Sequence, residues 1–332
     1  MRQQADSQRC IERAALDRRG FLLGSAAGLL ALSTGTAKAR ARKPFFRADG
    51  ASIGLQLYTL GDAPARDLPG TLARVAAIGY QEIEIPTLFR YTPQQWRAAA
   101  DAAGVRLTSL HMPTGVHVLP GSLLLTSDVQ KIVDTLGVLG VANAVLPIAL
   151  LPDKITPRAG EAYTAALARA LTEAGVDGWK RTAALLNERA AALKPHGITL
   201  GYHNHNVEFA PVGNTTGWDV LMRETDPRLV NFEMDVGWVA AAGRDPVALL
   251  QSCRGRVRQL HVKDLLSETI NNFALSIKST QVGAGRLDWR AILATARAVG
   301  VKHYYVEQEP PFVIPPIESV TKSYAYLSKL TV

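Results

Sequence analysis

Ile198-Thr199-Leu200-Gly201-Tyr202-His203-Asn204-His205 is a short β-rich run that ends in ionisable side chains. A long helical stretch, Tyr163 to Leu193, precedes it, interrupted near Gly175–Gly178, and another, Trp218–Arg223, follows. The same unit recurs in both directions. The strand candidates are Ile53–Tyr58, Glu82–Ile85, Arg106–His111, Ala144–Ile148, Ile198–His203, Val230–Asp235, Val257–Val262 and His303–Glu307. Helical spacing lies between them. Leu68, Thr71, Leu72, Val75 and Ala76 stop at Gly79, and Pro93 opens a turn carrying Trp96, Ala99, Ala100 and Ala103 that closes at Gly104. Further runs cover Pro246–Gln251, Asp288–Val299 (Asp288 as N-cap, Gly300 as C-cap) and Ile317–Leu330. Eightfold alternation is the count of a single-domain (β/α)8 TIM barrel in the α/β class. The competing doubly wound sheet usually carries G-x-G-x-x-G after its first strand, and Tyr58-Thr59-Leu60-Gly61-Asp62 lacks it.

A barrel places its chemistry at the C-terminal ends of its strands. Here those ends read Glu82-Ile83-Glu84, His111, His203-Asn204-His205 with Glu208 beyond, Glu233-Met234-Asp235, His261-Val262-Lys263-Asp264 and Glu307-Gln308-Glu309. Charged groups in a barrel mouth cost several kcal/mol each unless paired or metal-bound. Residues two apart on a strand share a face, so His203 pairs with His205, Glu233 with Asp235, and His261 with Lys263. One residue from each of strands five to eight gives a ligand set: His203 or His205, Asp235, His261 and Glu307. Such nitrogen and oxygen donors suit Mn²⁺, Co²⁺, Fe²⁺, Zn²⁺ or Mg²⁺. Glu84, His111, His205 and Lys263 form the pool for catalytic base, acid and hydroxyl contacts. Asn204 and Trp238 are the candidates for holding substrate, with Trp218 a second aromatic able to stack on a sugar face.

The chain has 332 residues, 47% hydrophobic and 20% charged, enough for a large core. Its two cysteines exclude a disulfide framework and a four-cysteine zinc site. The charge of +8 suggests nucleic acid until the N-terminus is read. Arg18-Arg19 leads into a modest apolar run from Phe21 to Leu32, too short for a stable membrane span. Ala37-Lys38-Ala39 follows as an A-x-A site. Together they read as a twin-arginine signal over residues 1–39, ahead of a barrel over 40–332. The twin-arginine machinery would then be a partner and the periplasm the destination. The first 39 residues carry six positive and three negative side chains, so the remainder falls to +5. That excess is no argument for nucleic acid. No stable span is expected after cleavage, and a homo-oligomer is compatible with the sequence.

The chain resembles the xylose-isomerase-like TIM-barrel superfamily, also described as sugar phosphate isomerase/epimerase or AP endonuclease family 2. The motifs are Ile53-Gly54-Leu55-Gln56-Leu57-Tyr58, Gly79-Tyr80-Gln81-Glu82-Ile83-Glu84, Tyr202-His203-Asn204-His205-Asn206-Val207-Glu208-Phe209, Asp235-Val236-Gly237-Trp238, His261-Val262-Lys263-Asp264 and Val282-Gly283-Ala284-Gly285. The resemblance implies a divalent metal held from strands five to eight by Glu, Asp, His and Glu. Asp235, His261 and Glu307 match the last three, whereas His203 stands at the first. Trp238 stands where many members have His. The missing glutamate weighs against simple two-base epimerisation. The Tyr-His-Asn-His subgroup is similar to proteins acting on oxidised sugars, including inosose-dehydratase-like and 3-keto-glycoside lyase members.

The expected activity is therefore a metal-dependent sugar lyase, dehydratase or isomerase working through an enolate. No P-loop-type phosphate cradle is present and phosphorylated sugars are scarce outside the cytoplasm, so the expected substrate is a non-phosphorylated keto-sugar or 3-keto-glycoside. A family endonuclease resembles a site with an extra histidine on strand four, where this chain has Leu146-Pro147-Ile148. An exported sugar-binding protein on the same barrel is the alternative outside catalysis. A Schiff-base barrel using Lys263 is the alternative without metal.

Overall fold

The alternation closes on itself. In the computed structural model, which describes residues 44–48, 50–115 and 118–332, eight parallel strands form a closed barrel. They are β1 (Gly54–Gln56), β2 (Glu82–Ile85), β3 (Arg106–His111), β4 (Asn143–Leu146), β5 (Thr199–His203), β6 (Val230–Asp235), β7 (Val257–Val262) and β8 (His303–Val306). Leu55 of β1 stands opposite both Ile83 of β2 and Val306 of β8, which completes the ring. The TIM barrel expected from the sequence is the fold of the described chain.

Strand parity sorts the side chains. Leu55, Ile83, Leu200, Phe232, Leu260 and Tyr304 belong to the buried apolar core. The alternate residues meet across the barrel axis, and many are polar. Gln259 Nε2 donates to Ser109 Oγ at 3.1 Å and to Glu233 Oε1 at 2.7 Å, while Thr108 and Tyr305 share a hydroxyl contact of 2.9 Å. Barrel interiors are ordinarily filled by Val, Ile and Leu. A polar interior persists here because its groups satisfy one another.

Two register shifts sit beside the site, between Ile83 and Glu84 against β3 and between Phe232 and Glu233 against β7. Each leaves one extra residue on the partner strand, Thr108 and Arg258 respectively. Bulges of this kind re-aim side chains, and the two carboxylates they precede both point into the central cluster described below.

The connecting helices follow the sequence closely. Leu68–Ile78 is capped by the Asp67 carboxylate and stops at Gly79, and Trp289–Val299 runs from Asp288 to Gly300. The long helical stretch divides at Ala174, giving Tyr163–Glu173 and Gly175–Leu193. The differences are local. The first strand ends three residues after it begins, because the Gln56 side chain accepts a hydrogen bond from Tyr58 N and starts a 3-10 turn over Leu57–Leu60. The last helix is Pro316–Leu327. Among the described residues, four helices escaped the sequence reading: the one-turn Phe45–Ala48 and Ala63–Arg66, and the longer Val129–Leu139 and Val236–Ala241.

After β7, Asp264–Leu265 pairs with Ser279–Thr280 in a short antiparallel ribbon. The Asp264 carboxylate accepts from the backbone of Gly283, Gly285 and Leu287 and from Trp289 Nε1 at 2.8 Å. A side chain on Gly285 would collide with that carboxylate, so the Gly283-Ala284-Gly285 motif is the mould that holds Asp264. Among the described residues no helix is long and apolar enough to cross a membrane. The segment read as a signal, residues 1–39, lies outside the described residues.

Candidate active site

The ends of β5, β6, β7 and β8 bring His203, Asp235, His261 and Glu307 together. Each offers one donor atom, and these atoms lie within 4.8 Å of one another. His261 is fully buried, with Nδ1 2.7 Å from Glu307 Oε2 and Nε2 2.6 Å from Glu84 Oε2. Its Nδ1 therefore faces the cluster while Glu84, from β2, fixes the far side of the ring. Of the two histidines left open by the motif, His203 joins this group. The His205 ring lies 4.9 Å away, edge-on to it.

Glu233 is the residue that the one-per-strand argument overlooked. It lies fully buried one turn of the pleat below Asp235. Its Oε2 is 3.0 Å from His111 Nε2, 3.2 Å from His261 Nε2 and 3.3 Å from His203 Nδ1. His111, His203, Glu233 and His261 form a second convergent group that shares two histidines with the first. Same-face parity with Asp235 was the available signal. Gln56, Gln259 and Glu208 were likewise missed, as neutral or off-strand residues.

Lys263 lies fully buried, its Nζ 2.9 Å from Asp235, 2.8 Å from Glu307 and 3.0 Å from Glu309. Burial opposes its charge, but the Asp235 and Glu307 carboxylates outweigh burial and hold the ammonium well above its usual range. Burial also pulls His111 down, yet Glu84 and Glu233 hold it up at about 9. Burial, reinforced by neighbouring His261, pulls His203 down. His205 is pushed well below 6.5 by burial and by His203.

The donor set fits a cation on two counts. Five buried or nearly buried carboxylates, Glu84, Glu233, Asp235, Glu307 and Glu309, face one lysine and four histidines. Unsatisfied acceptors converge there too. Asp235 Oδ2 and His203 Nδ1 are buried without a hydrogen bond. Both have a charged neighbour in range, at 2.9 Å and 3.3 Å, but at angles too poor for bonding. Buried polar atoms of that kind call for a partner.

A cavity of about 310 Å³ opens above the cluster, lined by His111, His203, His205, Trp238, Glu307 and Glu309 among others. His205 Nδ1 and Trp238 Nε1 are both buried and without hydrogen-bond partners. Three expected contacts are placed elsewhere. Asn204 is fully buried and spends its amide on the strand, accepting from Asp235 N at 3.1 Å and donating to Asp235 O at 3.3 Å. It therefore holds the ligand-bearing residue and does not line the cavity. Glu84 lies beneath the cavity, bonded to His261 and, at 2.9 Å, to Gln56 Nε2. It is not among the residues that line the cavity. Trp218 packs between Phe209 and Phe232 as barrel wall. Glu208 is fully buried, bonded at 2.6 Å to Tyr202 Oη and at 2.9 Å to the backbone N–H of His205, and burial pushes its carboxyl up to about 7.

Comparison with known proteins agrees with this arrangement. Residues 72–330 match the family model described as xylose isomerase-like TIM barrel. Inosose dehydratase from Geobacillus thermodenitrificans is 27% identical over 164 residues, 46% of this chain and 52% of that protein. The chain thus matches about half the length of this relative. The crystal structure of a sugar phosphate isomerase/epimerase from Parabacteroides distasonis superposes with a TM-score of 0.64 at 26% identity, covering 84% of this chain and 94% of the other. The IOLI protein, solved with a zinc atom bound, shares the fold with a TM-score of 0.56 at 14% identity over 83% of this chain and 98% of its own. With a closed eight-strand barrel, a convergent donor cluster at its C-terminal mouth and a family match across most of its length, the chain belongs to the xylose isomerase-like TIM-barrel family.

Proposed function

We propose that the protein is a divalent-metal-dependent enzyme that removes a proton beside the carbonyl of a non-phosphorylated keto-sugar or 3-keto-glycoside. The observation that carries this reading is the convergence of His203, Asp235, His261 and Glu307 at the floor of a cavity that also exposes histidines. Bound by those four residues, a divalent cation would supply Lewis-acid stabilisation of the oxyanion formed on proton loss, worth several kcal/mol.

The chain supplies the rest. His205 lines the cavity with its ring held neutral by burial, and is the candidate to take the C–H proton. General base assistance of this kind contributes about 10²–10⁴-fold. His111 reaches the same cavity, with Glu233 and Gln56 fixing its ring, and is placed to return a proton to a departing hydroxyl or to carbon. Trp238 lines the same cavity, with the Lys263 ammonium 5.0 Å from its ring centre. Proton loss followed by expulsion of a β-hydroxyl or glycosidic oxygen is dehydration or lysis. Return of the proton to a neighbouring carbon is isomerisation. The inosose dehydratase relative favours the elimination branch.

The lining supports a substrate without phosphate. Among the described residues that form the cavity there is no lysine or arginine, and two carboxylates are present. Phosphate sites ordinarily use such cations. The export signal read from Arg18-Arg19 belongs to the same proposal, and cell fractionation tests it. The chemistry is tested by incubating the metal-loaded protein with keto-sugars in D2O and following deuterium uptake by NMR. Uptake at a carbon beside the carbonyl supports the reading. Binding without uptake would favour a sugar-binding role.

A further inference from the structure

Beyond the catalytic cavity lies a second one, of about 450 Å³, which shares Tyr58, Pro86 and Leu119 with it. Its remaining walls include Phe89, Ala65 and Pro120. These walls are built and held. Thr87 Oγ1 donates to Pro120 O at 2.8 Å, and Leu88 N donates to Gly121 O, strapping the loop after β3 to the loop after β2. Phe89 stacks on Trp96, whose Nε1 is bonded to Leu88 O at 3.0 Å. Phe89 also has a φ of 53°, an uncommon conformation for a bulky residue, of the kind that marks functional surfaces.

The chemistry of this second cavity is unlike that of the first. The polar groups at its edge are spent on one another. Arg66 pairs with Asp62 at 2.5 Å, and Arg90 donates to Arg66 O at 2.7 Å. What remains is an aromatic and aliphatic surface that opens into a polar sugar-sized chamber. Tyr58 stands between the two, and the carboxylates of Glu309 and Glu307, together with burial, push its phenol up to about 12. Tyr58 therefore lines both cavities within the field of those carboxylates.

We propose that the substrate is a glycoside with an apolar, ring-sized aglycone that passes Tyr58 and lies in the outer cavity between Phe89, Pro86 and Leu119. This deepens the keto-sugar reading and rests on it for the sugar half alone. A free monosaccharide would leave the outer cavity unused, and a charged extension would face a surface that is mostly apolar, with Asp62 and Arg90 at its edge. Placing an aryl group in such a pocket should gain at least the tenfold that small apolar additions give.

The test is calorimetric binding of phenyl and methyl glucopyranosides, both anomers of each, to the metal-loaded protein. The same samples are assayed with keto-sugars for deuterium uptake from D2O. The inference predicts that one phenyl anomer binds about tenfold or more tightly than its methyl counterpart. It also predicts that this ratio falls towards one in Leu119→Asp, which makes the wall charged, and in Ala65→Trp, which fills the cavity. Equal binding of phenyl and methyl glycosides, no binding of either, or a ratio untouched by both variants overturns it. The two readings separate cleanly. Deuterium uptake without an aryl preference keeps the proposed chemistry and rejects the aglycone cavity. An aryl preference without uptake keeps the cavity and rejects the chemistry.

Discussion

Asn204 illustrates how a residue in the most diagnostic stretch of sequence can be structural. Flanked by two site histidines, it invites a substrate-binding role, but strand parity turns it away from them and onto the Asp235 backbone. Asn204→Ala should therefore destabilise the fold by about 1–3 kcal/mol, the cost of leaving the buried Asp235 N–H without an acceptor. Urea unfolding checks this. A variant of unchanged stability with a raised KM would restore the substrate-binding role. Glu233 is the converse case. Its sequence position looked redundant beside Asp235, but it is held by His111 and Gln259 and stands next to His203 and His261. Removing one partner of a buried charged pair costs about 3–5 kcal/mol, so Glu233→Ala should lose stability on that scale. Glu233→Gln should keep more of the fold while loosening His111. The proposed metal-binding residues were legible because each is a strand-terminal ionisable group. Their supporting residues were not, because an amide or a second carboxylate on the same face has no signature of its own.

At the level of elements, the strands that alternate most strictly were read to the residue: Glu82–Ile85, Arg106–His111, Val230–Asp235 and Val257–Val262. Their inner faces are polar, so the period of two survives where an ordinary parallel strand would show an unbroken apolar run. Val236–Ala241 escaped because all six of its residues are buried and it has no polar face. Val129–Leu139 carried the usual signs, an Asp128 cap, Ile132, Leu136 and Leu139 inward and Gly140 as a stop, but Gly137 and five β-branched residues dilute the helical pattern. The segment before Tyr163–Glu173 is tied by Glu161, which bonds Arg169 at 2.9 Å and accepts from Arg158 N. The Arg169 guanidinium, with the Arg158 N–H, lowers the Glu161 carboxyl from 4.5 to about 2. A depressed carboxyl stabilises the folded state above its unfolded value and loses that effect as pH falls through the folded one. The stability advantage of the wild type over Arg169→Ala should thus be complete above pH 4.5 and vanish towards pH 2. Paired urea midpoints across that range measure it, and a pH-independent difference would contradict the assignment.

For the whole molecule, the barrel places five carboxylates around one lysine and four histidines at a single end, an arrangement stable only if its charges are matched. A ligand that binds the native state alone stabilises it by about 2.7 kcal/mol at a hundredfold excess over Kd. For a chain of this size that corresponds to roughly 4 °C in Tm. Chelation should lower the melting temperature by about that much and re-addition of the ion should restore it, as followed by scanning calorimetry. The fold was legible because eight repeats of one unit leave few alternatives. The identity of the proposed sugar was not, because loops such as 118–122 and 266–278 carry no periodic signal. The central claim is that His203, Asp235, His261 and Glu307 hold one divalent ion. Its most direct test is metal content by mass spectrometry of the purified wild type beside Asp235→Ala. The account predicts near-stoichiometric metal in the wild type and its loss in the variant. A wild type that takes up none of Mn²⁺, Co²⁺, Fe²⁺, Zn²⁺ or Mg²⁺ would contradict it.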